Sequence, residues 1–154
     1  MNWEDIMVEL AKIKPDTVGW LFELACYPHL KTIFGEMENG SPLDFRVKGE
    51  PVFIEIKIRG WGLREEQIDF MMETQAEFYL VLLERYLTSG LRKLGSIEHK
   101  FETPLGTAVV LKIDLGAFRK RFEEDYKRRK QNTQEVVARE LLRQEILKRS
   151  DSHS

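Results

Sequence analysis

The chain has 154 residues, 42% of them hydrophobic and 32% charged. That is enough to bury a real core in one domain, and with no run of about 18 apolar residues it predicts no membrane span. Its one cysteine, Cys26, excludes an internal disulfide framework and fits a reducing setting; the acidic start MNWEDIMVEL is unlike a signal peptide, so an intracellular, cytoplasmic protein is expected. The net charge of -2 is unevenly spread: residues 1–118 hold 13 Lys/Arg against 19 Asp/Glu, and residues 119–149 hold 11 against 6. A basic C-terminal segment on an acidic body suits contact with a polyanion or with another subunit, and equally a solvated charged helix.

In chain order, residues 3–13 read as a short amphipathic helix. Asp16 is a candidate N-cap for a second helix, TVGWLFELACY, ending near Pro28. KTIF at 31–34 reads as a short strand and ENGSP at 38–42 as turn chemistry. LDFRV, the turn KGEP and VFIEIKI then make a hairpin over 43–58. Gly60-Trp61-Gly62 breaks the second strand, a helix follows from Leu63 to about Ala76, and FYLVLLE at 78–84 has the continuous apolar character of a fully buried strand. Residues 85–106 are the least legible. IEHKFE and TAVVLKI pair across Pro104–Gly106, and the pattern is helical from Ala117, with Asn132 and Glu135 resembling a capping box that opens a separate last helix. The class is α/β, on the border with α+β, built on a mixed sheet flanked by helices. The expected organisation is a core of residues 1–116 and a basic helical extension of residues 117–154, within the same domain or serving as a dimerisation or DNA-binding arm.

The hairpin holds the chemistry. Val52, Ile54, Ile56 and Ile58 alternate with Phe53, Glu55, Lys57 and Arg59, so Glu55 and Lys57 are expected to leave the aliphatic face together. A four-residue connection over 48–51 pairs Phe45 with Ile54 and puts Asp44 directly opposite Glu55, with Lys57 one diagonal step away. Two carboxylates about 5 Å apart repel by roughly 3 kcal/mol at an effective dielectric near 20. A divalent cation, Mg²⁺ or Mn²⁺, turns that repulsion into attraction, and an adjacent ammonium can offset charge on a phosphate. The competing reading is a solvent-facing hairpin in which Lys57 bridges two surface acids.

Asp44 followed by Glu55-Ile56-Lys57 on the next strand resembles the D…E-x-K signature of the PD-(D/E)XK nuclease superfamily. The order of features is similar to archaeal Holliday junction resolvases: Gly19 and Glu23 in GWLFE on an early helix, the E-x-K strand, Gln67 in LREEQ on the following helix, then the buried strand FYLVLLE. The resemblance covers residues 16–84. It departs from the family at Pro42, one residue removed from Asp44, and at Ile58 and Arg59, where the resolvases usually have a serine. It implies a restriction-endonuclease-like core and a metal-dependent DNA endonuclease. Asp44, Glu55 and the Ile56 carbonyl would hold the metal, Lys57 would orient water or stabilise developing charge, and Glu23 and Gln67 would assist. Apart from the resemblance, Gln67 is a polar residue among the apolar helical neighbours Leu63, Phe70 and Met71, which points it inward.

Trp61 between two glycines is a candidate for stacking on a base. Lys127, Arg128, Arg129 and Lys130 form a candidate phosphate contact. Val137, Leu141, Leu142 and Ile146 read as a helical stripe for a homodimer, which suits symmetric cutting of two strands. The rival function is a non-catalytic DNA-binding or assembly protein that keeps the nuclease fold.

Overall fold

The computed structural model describes residues 5, 6, 9, 12, 15–58 and 62–152. The short helix expected over 3–13 and the break at Gly60-Trp61 lie largely outside the described residues. The elements are helix α1 (Pro15–Phe34), strands β1 (Met37–Asn39), β2 (Phe45–Val47) and β3 (Val52–Ile56), helix α2 (Glu65–Glu73) and strand β4 (Glu77–Leu83). A 3-10 turn (Glu84–Tyr86), the one-turn helix α3 (Ser89–Arg92), strands β5 (Gly95–Thr103) and β6 (Gly106–Ile113) and helix α4 (Leu115–Ser152) complete the chain.

The six strands form one mixed sheet in the order β1-β2-β3-β4-β6-β5. Only β3 and β4 run parallel, joined through α2; the other neighbours are antiparallel. This is the expected mixed αβ class. One sheet face presents Val47, Ile54, Ile56, Val81, Leu83, Ala108 and Val110 to Phe22, Cys26 and Leu30 of α1. On β3 the alternate residues Phe53 and Glu55 turn to the opposite face, where Phe70 of α2 packs edge-on to Phe53 and Phe78. With both faces covered, β3 and β4 are buried over most of their length, as parallel neighbours at the centre of a sheet require.

Several expected boundaries move, each for an identifiable reason. Helix α1 does not stop near Pro28 but runs through it to Phe34, so KTIF is helical and Asp16 falls inside the helix rather than capping it. Proline inside a helix costs about 3 kcal/mol. Beyond it, Leu30 is fully buried and Ile33 and Phe34 pack on the core, and side chains of this size gain about 1.5–3 kcal/mol each when fully buried. The helix ends at Gly35, whose φ of 86° and N–H bond to the Lys31 carbonyl at 2.9 Å make a left-handed stop. Glu38 and Asn39 belong to β1, and the turn begins only where the Asn39 side chain accepts from the Ser41 N–H at 2.9 Å. Gly40 has no substitute there, since a Cβ would meet the Phe45 carbonyl carbon at 2.3 Å. Helix α2 is shorter than the expected 63–76.

The chain divides into two compact units, Met1–Phe118 and Arg119–Ser154. Asn132 and Glu135 open no new helix: α4 is continuous through them. No glycine or proline follows Ala117, and spaced ion pairs such as Lys127–Glu123 at 2.8 Å and Arg149–Glu145 at 3.3 Å support the run. Val137, Leu141, Leu142 and Ile146 of this unit are exposed but do not form one stripe. At about 100° per residue, Val137 and Leu141 share one side and Leu142 and Ile146 another. Among the described residues no helix is long and apolar enough to cross a membrane.

Candidate active site

β2 and β3 pair in the expected register, Phe45 with Ile54 and Arg46 with Phe53. One step further the backbone ladder is replaced by side chains. The Ile56 N–H donates to Asp44 Oδ2 at 2.8 Å, and the Asp44 N–H donates to Glu55 Oε1 at 3.1 Å. Asp44 and Glu55 therefore meet at the point where the hairpin opens, each carboxylate holding a main-chain donor of the other's strand.

The expectation that Glu55 lies on a solvated face is corrected. Glu55 is only 3% exposed, because α2 closes over that face of the sheet, and Gln67 beside it is 2% exposed. The Gln67 side-chain amide is fully engaged: its Nε2 donates to Glu55 Oε2 and, at 2.9 Å, to the Pro42 carbonyl, while its Oε1 accepts from the Arg64 N–H at 3.0 Å. It thus caps the helix that carries it and ties that helix to β3 and to the turn before β2. Replacing Gln67 with alanine is expected to destabilise the fold by about 1–3 kcal/mol, because three hydrogen bonds are lost, one of them to the enclosed Glu55 carboxylate; chemical denaturation measures this, and an unchanged midpoint would show the bonds to be dispensable.

Lys57 follows β3 and is anchored by its own N–H to the Val81 carbonyl at 2.8 Å. Its side chain is 29% exposed and brings Nζ to 3.5 Å from Glu55 Oε2. The lysine is the solvent-facing member of the group, and the glutamate the enclosed one. Burial, followed by the hydrogen bond and charge of Asp44, pushes the Glu55 carboxyl up to about 8, while Lys57 and Gln67 pull it down. Glu23, half-buried on α1, is also raised, by burial and then by the charge of Asp44. Burial and the charge of Glu23 in turn hold the Cys26 thiol at about 12, which leaves it an unreactive core residue.

Of the residues singled out from the sequence, Asp44, Glu55, Ile56, Lys57 and Gln67 are linked by direct contacts, and Glu23 is near enough to Asp44 for their charges to interact. Trp61 lies outside the described residues. Lys127, Arg128, Arg129 and Lys130 belong to the second unit, on α4. Lys127 pairs with Glu123, Arg128 reaches Asp125 at 3.4 Å, and Lys130 stands 5.5 Å from the Tyr126 ring centre. Sequence reading missed the Pro42 carbonyl and the capping role of Gln67. The second had a signal, since Arg64 and Gln67 stand three apart at a helix start, but without Ser, Thr, Asp or Asn at the first position the capping box was not visible.

Among the described residues no group of three or more His, Cys, Asp or Glu is arranged to hold a metal ion. The pair Asp44 and Glu55 nevertheless fits a divalent cation by its donor chemistry. Both are hard oxygen ligands, and the charge of Asp44 adds to burial in raising the Glu55 carboxyl, a repulsion that a cation between them would relieve. Comparison with protein-family models, curated proteins and solved structures finds no match to this chain.

Proposed function

We propose that the protein is a metal-dependent DNA endonuclease with a restriction-endonuclease-like core, acting as a homodimer. The observation that carries this reading is the group at the open end of the β2–β3 hairpin: two carboxylates in contact through each other's backbone, with the Lys57 ammonium 3.5 Å from Glu55 Oε2 on the solvent side. Asp44, Glu55 and the Ile56 carbonyl are the residues that would hold Mg²⁺ or Mn²⁺. Bound there, the cation supplies Lewis-acid polarisation of a phosphodiester and acidification of the attacking water. Lys57 contributes a mobile donor that can hold that water or meet charge growing on a phosphoryl oxygen. Gln67 keeps the Glu55 carboxylate in one orientation, a positioning role, and Glu23 adds negative charge beside Asp44.

The test is incubation with plasmid, linear duplex and four-way junction DNA, each with Mg²⁺ or Mn²⁺ and with chelator. Cleavage that needs the metal supports the reading, and the preferred substrate identifies the DNA structure recognised. No cleavage of any substrate with either metal ion overturns it.

A second reading, a DNA-binding or assembly protein without catalysis, has an observation in its favour: both Glu55 oxygens already accept hydrogen bonds within a closed interior. DNA binding without cleavage would select it. For either reading the run Lys127, Arg128, Arg129 and Lys130 is expected to contact phosphates. Reversing all four charges should weaken affinity and flatten its dependence on salt. Because Lys127 and Arg128 first have to leave Glu123 and Asp125, the slope should fall by less than about 0.9 per residue. Titration of binding against salt concentration checks this; an unchanged slope removes the run from the interface.

A further inference from the structure

The carboxyl ends of the parallel strands β3 and β4 lie at the same edge of the sheet, where the Leu83 N–H faces the Ile58 carbonyl at 3.4 Å. Ligands of sheets with parallel strands gather at such an edge. Lys57 stands there at the end of β3. Beyond the end of β4 the same edge carries a cleft of about 370 Å³ lined by Leu83, Glu84, Arg85, Arg92, Gly106 and Thr107.

Two arginines, Arg85 and Arg92, line this cleft. Residues 1–118 hold more acidic than basic side chains, so a cation there has carboxylates to choose from, as Lys31, Arg64, Lys100 and Lys112 do. Among the described residues neither Arg85 nor Arg92 has an acidic partner. The carboxylate that shares the cleft, Glu84, is taken by Lys100 at 2.9 Å. The Thr107 hydroxyl is held by Glu102. What remains free to meet a ligand is two guanidinium groups.

Arg85 is also held in place. Its guanidinium carbon lies 5.2 Å from the centre of the Tyr86 ring. Gly106, at a φ of 131°, lies close by: a Cβ built on it would come within 3.7 Å of the Arg85 Nη1. A guanidinium stacked against a ring gives up less freedom when it binds, and its planar fork suits phosphate oxygens.

We propose that Arg85 and Arg92 form a phosphate clamp for the nucleic-acid backbone, taking a phosphate that flanks the one placed at Lys57. This rests on the endonuclease reading and adds to it the path of the substrate: across the carboxyl edge of the sheet, from β3 over β4 toward the β5–β6 turn. Arg85 follows the end of β4 in the 3-10 turn Glu84–Tyr86, and Lys57 follows the end of β3, its parallel neighbour, so both stand at the same edge of the sheet.

The test measures affinity of the full chain for linear duplex DNA as a function of salt, with Ca²⁺ in place of Mg²⁺ to hold cleavage low. Arg85→Ala with Arg92→Ala is expected to lower affinity about tenfold or more and to reduce the salt slope by about 0.9 for each phosphate no longer neutralised. Both side chains are exposed, so the fold should persist; matching melting curves check it, and Arg85→Gln with Arg92→Gln keeps the bulk if the alanine pair melts early. Arg85→Lys with Arg92→Lys should recover the slope and only part of the affinity. If wild-type protein binds and cleaves while the variants keep its affinity and slope, the clamp is overturned and the endonuclease reading stands. A drop in affinity at constant slope also overturns the clamp, because the interaction would not be ionic. If wild-type protein neither binds nor cleaves DNA, both fail together.

Discussion

Lys57→Ala is expected to lower Mg²⁺-dependent DNA cleavage by at least about 10²–10³-fold, the usual cost of removing one donor to developing charge in a water-poor site. The melting temperature should barely move. The Lys57 side chain is partly exposed and its bond to Val81 uses the main chain, so truncation opens no cavity. Removing the ammonium does take away a charge that pulls the Glu55 carboxyl down. The interior can answer by holding a proton on Glu55, which avoids an unpaired buried charge.

Glu55→Ala should also abolish cleavage, but with a different signature. Its carboxylate is enclosed and holds the Asp44 N–H and the Gln67 amide. Truncation leaves a gap under α2 and two unpaired donors, at a cost of about 1–3 kcal/mol for the missing partner alone. The two variants therefore separate chemistry from architecture: Lys57→Ala inactive and stable, Glu55→Ala inactive and destabilised. Full activity in Lys57→Ala would remove the lysine from the mechanism, and a Glu55→Ala protein as stable as wild type would contradict the enclosed network. The ratio of cleavage rates together with urea midpoints reads both.

How far the sequence leads depends on the range over which each signal acts. The hairpin register is legible because period 2 keeps Val47, Ile54 and Ile56 on one face and a four-residue connection selects Phe45 opposite Ile54 among the registers that do so, which brings Asp44 to Glu55. β4 is legible from an unbroken apolar run. The burial of Glu55 is not, because alternation within β3 separates two faces without saying that α2 covers the second one. Pro28 misleads for a similar reason. Its local penalty favours a stop, whereas the burial of Leu30 against the sheet is a tertiary gain invisible at that position. Asn132 offers a start signal with no preceding stop, and a helix without glycine or proline runs on through it. Arg85 and Arg92 fall in the stretch where neither period dominates, so nothing local shows that two turns bring them to one cleft.

The pH dependence of stability is where the carboxylate pair should declare itself most plainly. Glu55 titrates near 8 in the folded protein, against about 4.3 for an unperturbed glutamate. Between those values the folded state holds a proton that the unfolded state has lost, so stability falls as pH rises. The contribution is full below about 4.3 and is lost through about 8, with a slope approaching about 1.4 kcal/mol per pH unit in between. Glu23, shifted in the same direction, adds to the slope. A divalent cation at Asp44 and Glu55 competes with that proton. Millimolar Mg²⁺ or Mn²⁺ should therefore raise the melting temperature strongly at pH 8 and weakly at pH 5, by mass action on the folded state. Asp44→Asn provides the control. Its amide oxygen can still accept from the Ile56 N–H, yet the Asp44 charge that adds to burial in raising Glu55 is gone, so the variant should melt higher than wild type at pH 8, keep the part of the pH slope that burial sets and lose most of its response to metal. Thermal melts of both proteins across pH 5–9, with and without metal, test this. A wild-type profile that is flat across the range would show that Glu55 is ionised in the folded protein throughout. A metal response equal at pH 5 and pH 8, or unchanged in Asp44→Asn, would place any bound cation elsewhere.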